Sequence, residues 1–407
     1  MNVDTMRRID LYVGVPLCLM GTLLRRLNPL TRYRKMGPIR RVLFIELSEM
    51  GSAILADPAM RKIEKSARAE LFFLIFEKNR PSLELLNTVP PDHIFTLRGD
   101  RFHTLALDAL RFMLWARRQR IDTVVDLELF SRVTALLTAL SGALRRAGFH
   151  RHHTEGLYRG DFLTHRVVYN PHQHIAKNFI ALVNALLTVE PEHPYSKTRI
   201  DDSELSLPLA RVTERDRDAL KECIRSLYPD YGPDRHRLVL INPNASAMLI
   251  QRRWPPEHFL RLIRMILEHH GDALILITGD PSERTEAQVL ADAIGEDRCI
   301  NFAGEIAFRQ LPALYDLSAF MVTNDSGPAH FAAVTRMPTC VLFGPETPAL
   351  YASLGKTLPI FAGLACSPCV SAANHRKTSC TDNRCLKVIT PESVYDAVRP
   401  LLEAPRV

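Results

Sequence analysis

Residues 319–343 read AFMVTNDSGPAHFAAVTRMPTCVLF, and this stretch decides the fold class. The apolar run Ala319–Val322 gives way to a polar turn at residues 323–328. A helix-forming run, Ala329–Thr335, follows, and a second apolar run, Thr339–Phe343, comes after it. This order predicts a strand, a turn, a helix and a second parallel strand, the unit from which α/β sheets are built.

The turn of this unit carries groups that suit phosphate binding. Asp325 and Ser326 supply a carboxylate and a hydroxyl, and Gly327 permits close approach of the backbone. Pro328 fits the first helical position, and His330 places an imidazole one turn into the helix. The unbonded N–H groups and the dipole of a helix N-terminus attract phosphate. A simple capped turn remains the alternative interpretation of these residues taken alone.

Three further polar turns end apolar runs upstream. Residues 241–246 read INPNAS, residues 251–259 read QRRWPPEHF and residues 276–283 read LITGDPSE. Because ligands bind at the carboxyl ends of parallel strands in open α/β sheets, we expect these turns to lie together at one such edge.

The chain from Arg41 onwards alternates between strand-like and helix-like runs. Val42–Leu47 is an apolar run, Thr104–Arg118 is amphipathic, and a comparable set begins again at Leu238. The alternation predicts parallel sheets with helices on both faces. Thr188–Pro194 contains two prolines and is the expected linker. The expected segments are residues 1–40, 41–190, 191–390 and 391–407.

Length and composition limit the class of protein. A chain of 407 residues is too long for one ordinary core, so two domains are expected. Hydrophobic residues make up 46% and charged residues 24%, which is typical of a globular protein. The net charge of +7 does not indicate a nucleic-acid partner but suits an anionic membrane face or a phosphorylated acceptor. No secretory signal is evident, so we expect a reducing, cytoplasmic location.

The first forty residues differ from the rest. Ile9–Leu27 is apolar, is interrupted by Pro16, and has an uncharged core shorter than the roughly twenty residues that a membrane span needs. Several arginines and a lysine follow it closely. An apolar helix with a basic flank indicates a peripheral anchor on an anionic membrane surface, and a helix packed on the protein's own core is the alternative.

The ordered set of turns resembles the family 9 glycosyltransferases, the heptosyltransferases of lipopolysaccharide assembly. Their pattern is an NPGAS-like turn, a KRWP-like segment, a GxxxE turn and a DSGxxH turn followed by a strand ending in FGP, here Phe343-Gly344-Pro345. The resemblance runs from about Arg41 to Leu386. It implies the GT-B fold, in which two Rossmann-like domains with parallel sheets face a central cleft and the last helix, 391–407 here, returns to the N-terminal domain.

The resemblance also implies a site for a nucleotide-diphosphate sugar donor. Arg252 aligns with the lysine of the KRWP-like segment, where a guanidinium would hold the diphosphate. The alternative is that Arg252 and Arg253 form a solvated pair on a loop. Glu283 matches the acidic residue that binds ribose hydroxyls, or it complements a helix dipole. The other donor-binding candidates are Asn244, Ser246, Gly279, Asp325, Ser326, Gly327, Pro328 and His330.

The acceptor side departs from the family pattern. The family's first turn reads roughly RLSxxGD, and its aspartate is the proposed general base, whereas residues 46–52 here read ELSEMGS. Ser52 stands in the place of that aspartate, and a serine hydroxyl is not a base near neutral pH. Either another carboxylate substitutes, from Glu46, Glu49 and Asp57, or turnover is slow or absent. Glu49 is the candidate base because it lies in the same turn.

Residues 144–177 are rich in arginine and histidine. They suit a phosphorylated or acidic glycan acceptor, or they form a solvated basic face. A metal site is less favoured, because neither cysteine nor carboxylate accompanies the histidines at ligand spacing. The residues concerned are Arg145, Arg146, His150, Arg151, His152, His153, Arg159, His165, Arg166, His172, His174 and Lys177.

Four cysteines near the end have the spacing C-x2-C-x10-C-x4-C, at Cys366, Cys369, Cys380 and Cys385. Structural zinc, a disulfide and reduced thiols that shape a loop are the three interpretations, and the last is preferred.

The resemblance to the family 9 glycosyltransferases implies an inverting, metal-independent glycosyltransferase that needs no cofactor. It would move a sugar, with heptose as one candidate, from a nucleotide-diphosphate donor to a lipopolysaccharide or other surface-glycan precursor. It would work on the cytoplasmic face of the inner membrane. The alternative is a degenerate family member that binds nucleotide-sugar or glycan without turnover.

Overall fold

The computed structural model describes residues 3–27, 37–129, 131–151, 157–189, 194, 196–372, 374 and 376–405. The chain forms two compact units, residues 1–206 and 207–407. We expected the division at residue 190, and it falls later because the short helix Asp202–Leu205 is tied to the first unit. Glu204 accepts a hydrogen bond from Lys62 at 2.6 Å, and Asp202 pairs with Lys177 at 2.6 Å.

The first unit contains a six-stranded, wholly parallel sheet in the order β3-β2-β1-β4-β5-β6. The central strands are almost entirely buried, which explains their continuous apolar sequences. The strands are β1 Arg41–Ile45, β2 Glu70–Phe76, β3 Ile94–Leu97, β4 Thr123–Asp126, β5 Arg145–Phe149 and β6 His165–Val167.

Helices cover this sheet. One group comprises α4 and α8, which pack on each other, and another comprises α6 and α7 together with the N-terminal pair α1 and α2. The helices are α1 Val3–Tyr12, α2 Gly14–Leu27, α3 Met50–Leu55, α4 Asp57–Ala67, α5 Pro81–Glu84, α6 Phe102–Arg118, α7 Arg132–Leu140 and α8 Ile175–Leu187.

The apolar N-terminal run forms two helices rather than one. The break falls at Val13, and Pro16 lies in the first turn of α2, where its missing N–H costs no helical hydrogen bond. Within the part of the chain that is described, every helix is too short or too polar to cross a bilayer.

The second unit repeats the plan with a parallel six-stranded sheet in the order β12-β11-β10-β7-β8-β9. The two parallel sheets confirm the predicted α/β fold class. The strands are β7 Arg237–Asn242, β8 Ala273–Ile277, β9 Cys299–Asn301, β10 Ser318–Asn324, β11 Thr339–Phe343 and β12 Thr357–Phe361.

The last helix, α16, packs on α10 in the core of the second unit. Val394, Val398 and Leu402 are buried in the same core as α10, because they form one apolar face of α16. The helices of this unit are α9 Glu214–Leu227, α10 Pro256–His269, α11 Arg284–Ile294, α12 Leu311–Leu317, α13 Gly327–Ala332, α14 Pro348–Tyr351, α15 Arg384–Lys387 and α16 Pro391–Glu403.

Candidate functional site

The polar turns of the second unit lie at one edge of its sheet. β7 and β10 are neighbours and end at Asn242 and Asn324, and β8 and β11 flank them. The turns after these four parallel strands therefore share the carboxyl edge, as the sequence indicated. They carry Asn244, Ser246, Gly279, Asp325, Ser326, Gly327 and Pro328.

Asn324 joins two of these turns. Its side-chain Nδ2 donates to the carbonyl oxygen of Pro243 at 2.7 Å, and its Oδ1 accepts from the backbone N–H of Trp254 at 2.9 Å. The indole of Trp254 is buried and donates in turn to the carbonyl of Ile389 at 2.9 Å. The segment between Pro243 and Trp254 is thus fixed at both ends, which positions the arginines inside it.

Arg252 lies between two buried carboxylates. Its Nη2 is 2.8 Å from Oε1 of Glu346, and its Nε is 3.7 Å from Oδ2 of Asp325. Arg376 approaches the same Glu346 oxygen at 3.6 Å and stacks over the ring of Tyr351 at 4.9 Å. Two guanidinium groups and two carboxylates therefore form one nearly dry cluster at the carboxyl edge.

The two adjacent arginines have different environments. Arg253 donates to the carbonyl of Ala245 at 3.1 Å and pairs with the exposed Glu286 at 3.2 Å. The side chain of Arg252 is only 11% exposed. The alternative of a solvated arginine pair is therefore wrong for Arg252. Arg253 is partly solvated, because its side chain is 33% exposed.

Glu283 folds back over its own turn. Its Oε2 accepts from the backbone N–H of Asp280 at 2.7 Å, and a Cβ at Gly279 would come within 2.9 Å of that oxygen. Burial raises the pKa of Glu283, while the Asp280 N–H and the amide of Asn244 act in the opposite direction. The carboxylate caps the short helix Pro281–Glu283, and Asn244 lies beside it.

The DSG turn opens the six-residue helix α13. Gly327 is its first residue, and a Cβ there would come within 2.8 Å of the ring of Phe331, so packing requires the glycine. Pro328 is the second residue rather than the first. The hydroxyl of Ser326 donates to the carbonyl of Asn324 at 3.2 Å, and His330 is buried one turn into the helix.

A surface cavity of about 330 Å³ adjoins the same turns. Asn244, Arg253 and Glu286 are among its walls, together with Trp254 and Lys387. Ser246 is exposed at the start of the short helix Ala247–Arg252. The second unit thus presents charged groups of both signs and an adjacent concave surface.

In the first unit, the turn after β1 is organised by a residue that the sequence analysis missed. Oε1 of Glu128 accepts from the N–H of Leu47 at 3.0 Å, from the N–H of Ser48 at 2.9 Å and from the Ser48 hydroxyl at 2.5 Å. Asn79 donates to the carbonyl of Leu47 at 2.8 Å. The signal for Glu128 was its place just after a strand that neighbours β1.

The candidate bases and Ser52 differ in their exposure to solvent. Asp57 is fully buried and Glu46 is 4% exposed, so neither meets solvent. Glu49 is partly exposed at the N-cap position of α3, where its side chain makes no capping bond. Ser52 is partly exposed within α3. Among the three carboxylates, Glu49 is therefore the one with partial access to solvent.

Much of the basic stretch of residues 144–177 stabilises the first unit. Arg159 is buried against Asp126, and Arg146 donates to the carbonyl of Phe162 at 2.5 Å. Burial lowers the pKa of His150 to about 4, so its ring is neutral at pH 7. Arg146, His150 and Arg159 are therefore largely withdrawn from solvent, whereas Arg151 and His172 are exposed. His152 and His153 lie outside the described residues.

All eight cysteines are free thiols. Burial first, and then the charges of Cys369, Cys366 and Cys380, raise the pKa of Cys385. No set of three or more His, Cys, Asp and Glu side chains within the described ranges is arranged to hold a metal ion.

Parts of this chain resemble known heptosyltransferases in sequence. A 99-residue stretch is 31% identical to lipopolysaccharide heptosyltransferase 2 of Escherichia coli K12 and covers 24% of this chain and 28% of that protein. A 177-residue stretch is 25% identical to lipooligosaccharide heptosyltransferase 2 of Campylobacter jejuni, covering 41% of this chain and 51% of the relative. The chain thus spans about a quarter to a half of the lengths of these relatives.

Solved structures share the fold. The E. coli ADP-heptose heptosyltransferase II has a TM-score of 0.68 at 19% identity, covering 89% of this chain and 98% of its own. The E. coli heptosyltransferase WaaC with ADP-2-deoxy-2-fluoro heptose has a TM-score of 0.59 at 14% identity, covering 88% and 99%. The model of glycosyltransferase family 9 (heptosyltransferase) matches residues 111–379, so the chain belongs to that family.

Proposed function

We propose that this protein is a glycosyltransferase that moves a sugar from a nucleotide-diphosphate donor onto a lipopolysaccharide or other surface-glycan precursor, with inversion and without a metal ion. The donor binds to the second unit, and heptose is the favoured sugar because the relatives are heptosyltransferases. The buried cluster around Arg252 is the single observation that supports the donor site most strongly.

Arg252 suits a diphosphate because its guanidinium is permanently charged and offers N–H groups in one plane. Glu346 and Asp325 neutralise it when no donor is bound, so the charge need not be exposed to water. Asp325 therefore orients an arginine rather than meeting phosphate itself. His330 and the N–H groups at the start of α13 are further donor ligands in this proposal, with Ser326, Gly327 and Pro328 forming the turn.

The proposed transfer needs only the donor, the acceptor and side chains of the protein. An acceptor hydroxyl attacks the anomeric carbon, the bond from that carbon to the diphosphate oxygen breaks, and the bonding pair leaves with the nucleoside diphosphate. Arg252 stabilises the charge that develops on the leaving group. Glu49 takes the hydroxyl proton, because it is the partly exposed carboxylate in the turn where the family has its aspartate.

Transfer would take place at the cytoplasmic face of the inner membrane, where a lipid-linked acceptor is held. The apolar N-terminal helices and the arginines at the end of α2 support this location.

The donor site is tested by thermal shift with ADP-, GDP- and UDP-sugars on the wild type, Arg252→Gln and the matched neighbour Arg253→Gln. We expect stabilisation by one donor class, its loss in Arg252→Gln and its retention in Arg253→Gln. An equal loss in both variants, or no shift with any donor, would contradict the proposal.

A degenerate, binding-only member is the second candidate, and Ser52 is the residue that favours it. This candidate would be established if the protein binds the donor but shows neither donor hydrolysis nor transfer to extracted lipopolysaccharide precursors. Turnover by the wild type would exclude it.

A further inference from the structure

We propose that α2 and α6 of the first unit form one bilayer-binding face, with outward leucines in the headgroup region and arginines on anionic lipid. This inference rests on the proposed function, whose membrane partner it specifies. It adds α6, which the sequence showed to be amphipathic but did not assign to the membrane. Thirteen of the twenty exposed large apolar side chains among the described residues lie on the α1–α2 segment or on α6.

α2 is inverted relative to an ordinary surface helix. Its inward face consists of Gly14, Cys18 and Thr22, one helical turn apart. Its outward face carries large apolar side chains that are 39–79% exposed. A helix that buried its apolar face in the protein would show the opposite pattern. The outward residues are Leu17, Leu19, Met20, Leu23, Leu24 and Leu27.

α2 is nevertheless attached firmly. The hydroxyl of Thr22 accepts from the N–H of Asp161 at 2.9 Å, and Arg25 donates to the Asp161 carbonyl at 2.5 Å. Asp10, in the last turn of α1, accepts from the N–H of Arg132 at 2.7 Å and pairs with its guanidinium at 3.0 Å. A Cβ at Gly14 would come within 2.9 Å of the Arg132 side chain. These contacts leave the leucines exposed in a fixed orientation.

α6, which like α2 contacts α7, shows the same pattern. Phe112 and Ala116 are fully buried, while Leu107, Leu110 and Leu114 are exposed at helical spacing. Both α6 and α2 contact α7, and Met6 of α1 lies next to Gly99, just before α6 begins. The two leucine stripes therefore belong to one layer of helices.

Charge selects an anionic bilayer over a second copy of the chain. Exposed arginines border both stripes, and the nearby acids Asp10 and Asp108 are paired with arginines of the same unit. Two such faces would repel each other, whereas anionic headgroups would attract them. α2 is only about 21 Å long, so it lies along the surface. The arginines are Arg8, Arg117 and Arg118, together with Arg26 and Arg111, which also pair with Asp161 and Asp108.

The test is co-sedimentation with phosphatidylglycerol/phosphatidylethanolamine vesicles and with phosphatidylcholine vesicles. One variant combines Leu19→Gln, Leu23→Gln and Leu24→Gln, and another combines Leu107→Gln, Leu110→Gln and Leu114→Gln. The control combines Leu209→Gln, Val289→Gln and Val388→Gln, three exposed apolar residues of the second unit.

We expect binding to the anionic vesicles only, a loss of at least about tenfold in each of the two helix variants, and wild-type binding by the control. Normal binding by the α6 variant would overturn the joint face. A wild-type dimer that both variants dissociate would make the surface a self-association interface and overturn the proposal.

Circular dichroism verifies that the variants are folded. The nucleotide-sugar thermal shift, measured without vesicles, separates the two proposals. Vesicle binding without a donor shift would defeat the proposed function alone. A donor shift with no vesicle binding would defeat this inference alone.

Discussion

Arg252 and Glu346 form an ion pair of 2.8 Å in which the carboxylate is 2% exposed. The two residues follow different strands, β7 and β11, yet meet at the carboxyl edge of one sheet. Glu346 also lies 3.6 Å from Arg376, so one carboxylate restrains two guanidinium groups. The pair fixes the orientation of the arginine that we assign to the donor diphosphate.

Glu346→Gln should show whether Glu346 acts by orienting Arg252 or by placing a negative charge beside the donor phosphates. We expect donor hydrolysis or transfer to slow about tenfold, because Arg252 loses a charged partner that holds its plane. The affinity for the nucleoside diphosphate should not fall, because a negative charge near the phosphates has been removed. Steady-state kinetics and calorimetric titration measure the two effects. Glu286→Gln, which affects only the Arg253 pair, is the control, and a parallel loss of rate and affinity would contradict the positioning role.

Ser52→Asp should restore a base at the position where the family has one. We expect the rate of donor hydrolysis or transfer to rise by at least about tenfold, since general base catalysis contributes a rate factor of about 10²–10⁴.

Glu49→Gln should lower the wild-type rate while the donor thermal shift is unchanged. The exposed Glu64→Gln on α4 serves as the comparison. If neither substitution alters the rate, the base lies elsewhere.

Glu128→Gln should loosen the turn after β1. The three hydrogen bonds at 3.0, 2.9 and 2.5 Å converge on a single charged oxygen, and the neutral amide accepts them more weakly. We expect a loss of about 1–3 kcal/mol in the free energy of unfolding and a lower rate with unchanged donor affinity. Urea denaturation and kinetics measure these quantities. Glu70→Gln, an exposed partner of Arg41, should be nearly neutral, and an equal loss there would argue against a special role for Glu128.

Asp57→Asn should stabilise the protein in a pH-dependent manner. Burial raises the pKa of Asp57 to about 6, despite the hydrogen bond from Thr88 and the charge of Arg61. A raised carboxyl pKa means that stability is greatest below the unfolded-state pKa and falls as pH rises through the folded-state value. We therefore expect a gain of up to about 3 kcal/mol at pH 8 and almost none at pH 4. Melting temperatures of both proteins, with Asp92→Asn as control, test this; a gain independent of pH would contradict it.

The strands and helices that the sequence predicted best are those buried on both sides. The bounds of β11 agree with the expected Thr339–Phe343, because this buried apolar run ends at clear turn residues. The strands that we missed are short or lie at edges. β6 has only three residues, two of them charged or titratable, and β12 is an edge strand that contains Pro359.

The sequence by itself determined the alternation of strands and helices, the family, and the gathering of the polar turns at one sheet edge, because parallel strands bring their carboxyl ends together. Only the tertiary structure decided which charges meet there. Glu128 reaches Ser48 across 80 residues, and Glu346, after β11, reaches Arg252, after β7, although β10 lies between those two strands. Such pairings depend on side-chain packing and desolvation, which no local pattern encodes. The exposure of the α2 leucines likewise follows from the way the helix packs on the first unit, since Gly14, Cys18 and Thr22 form its buried face.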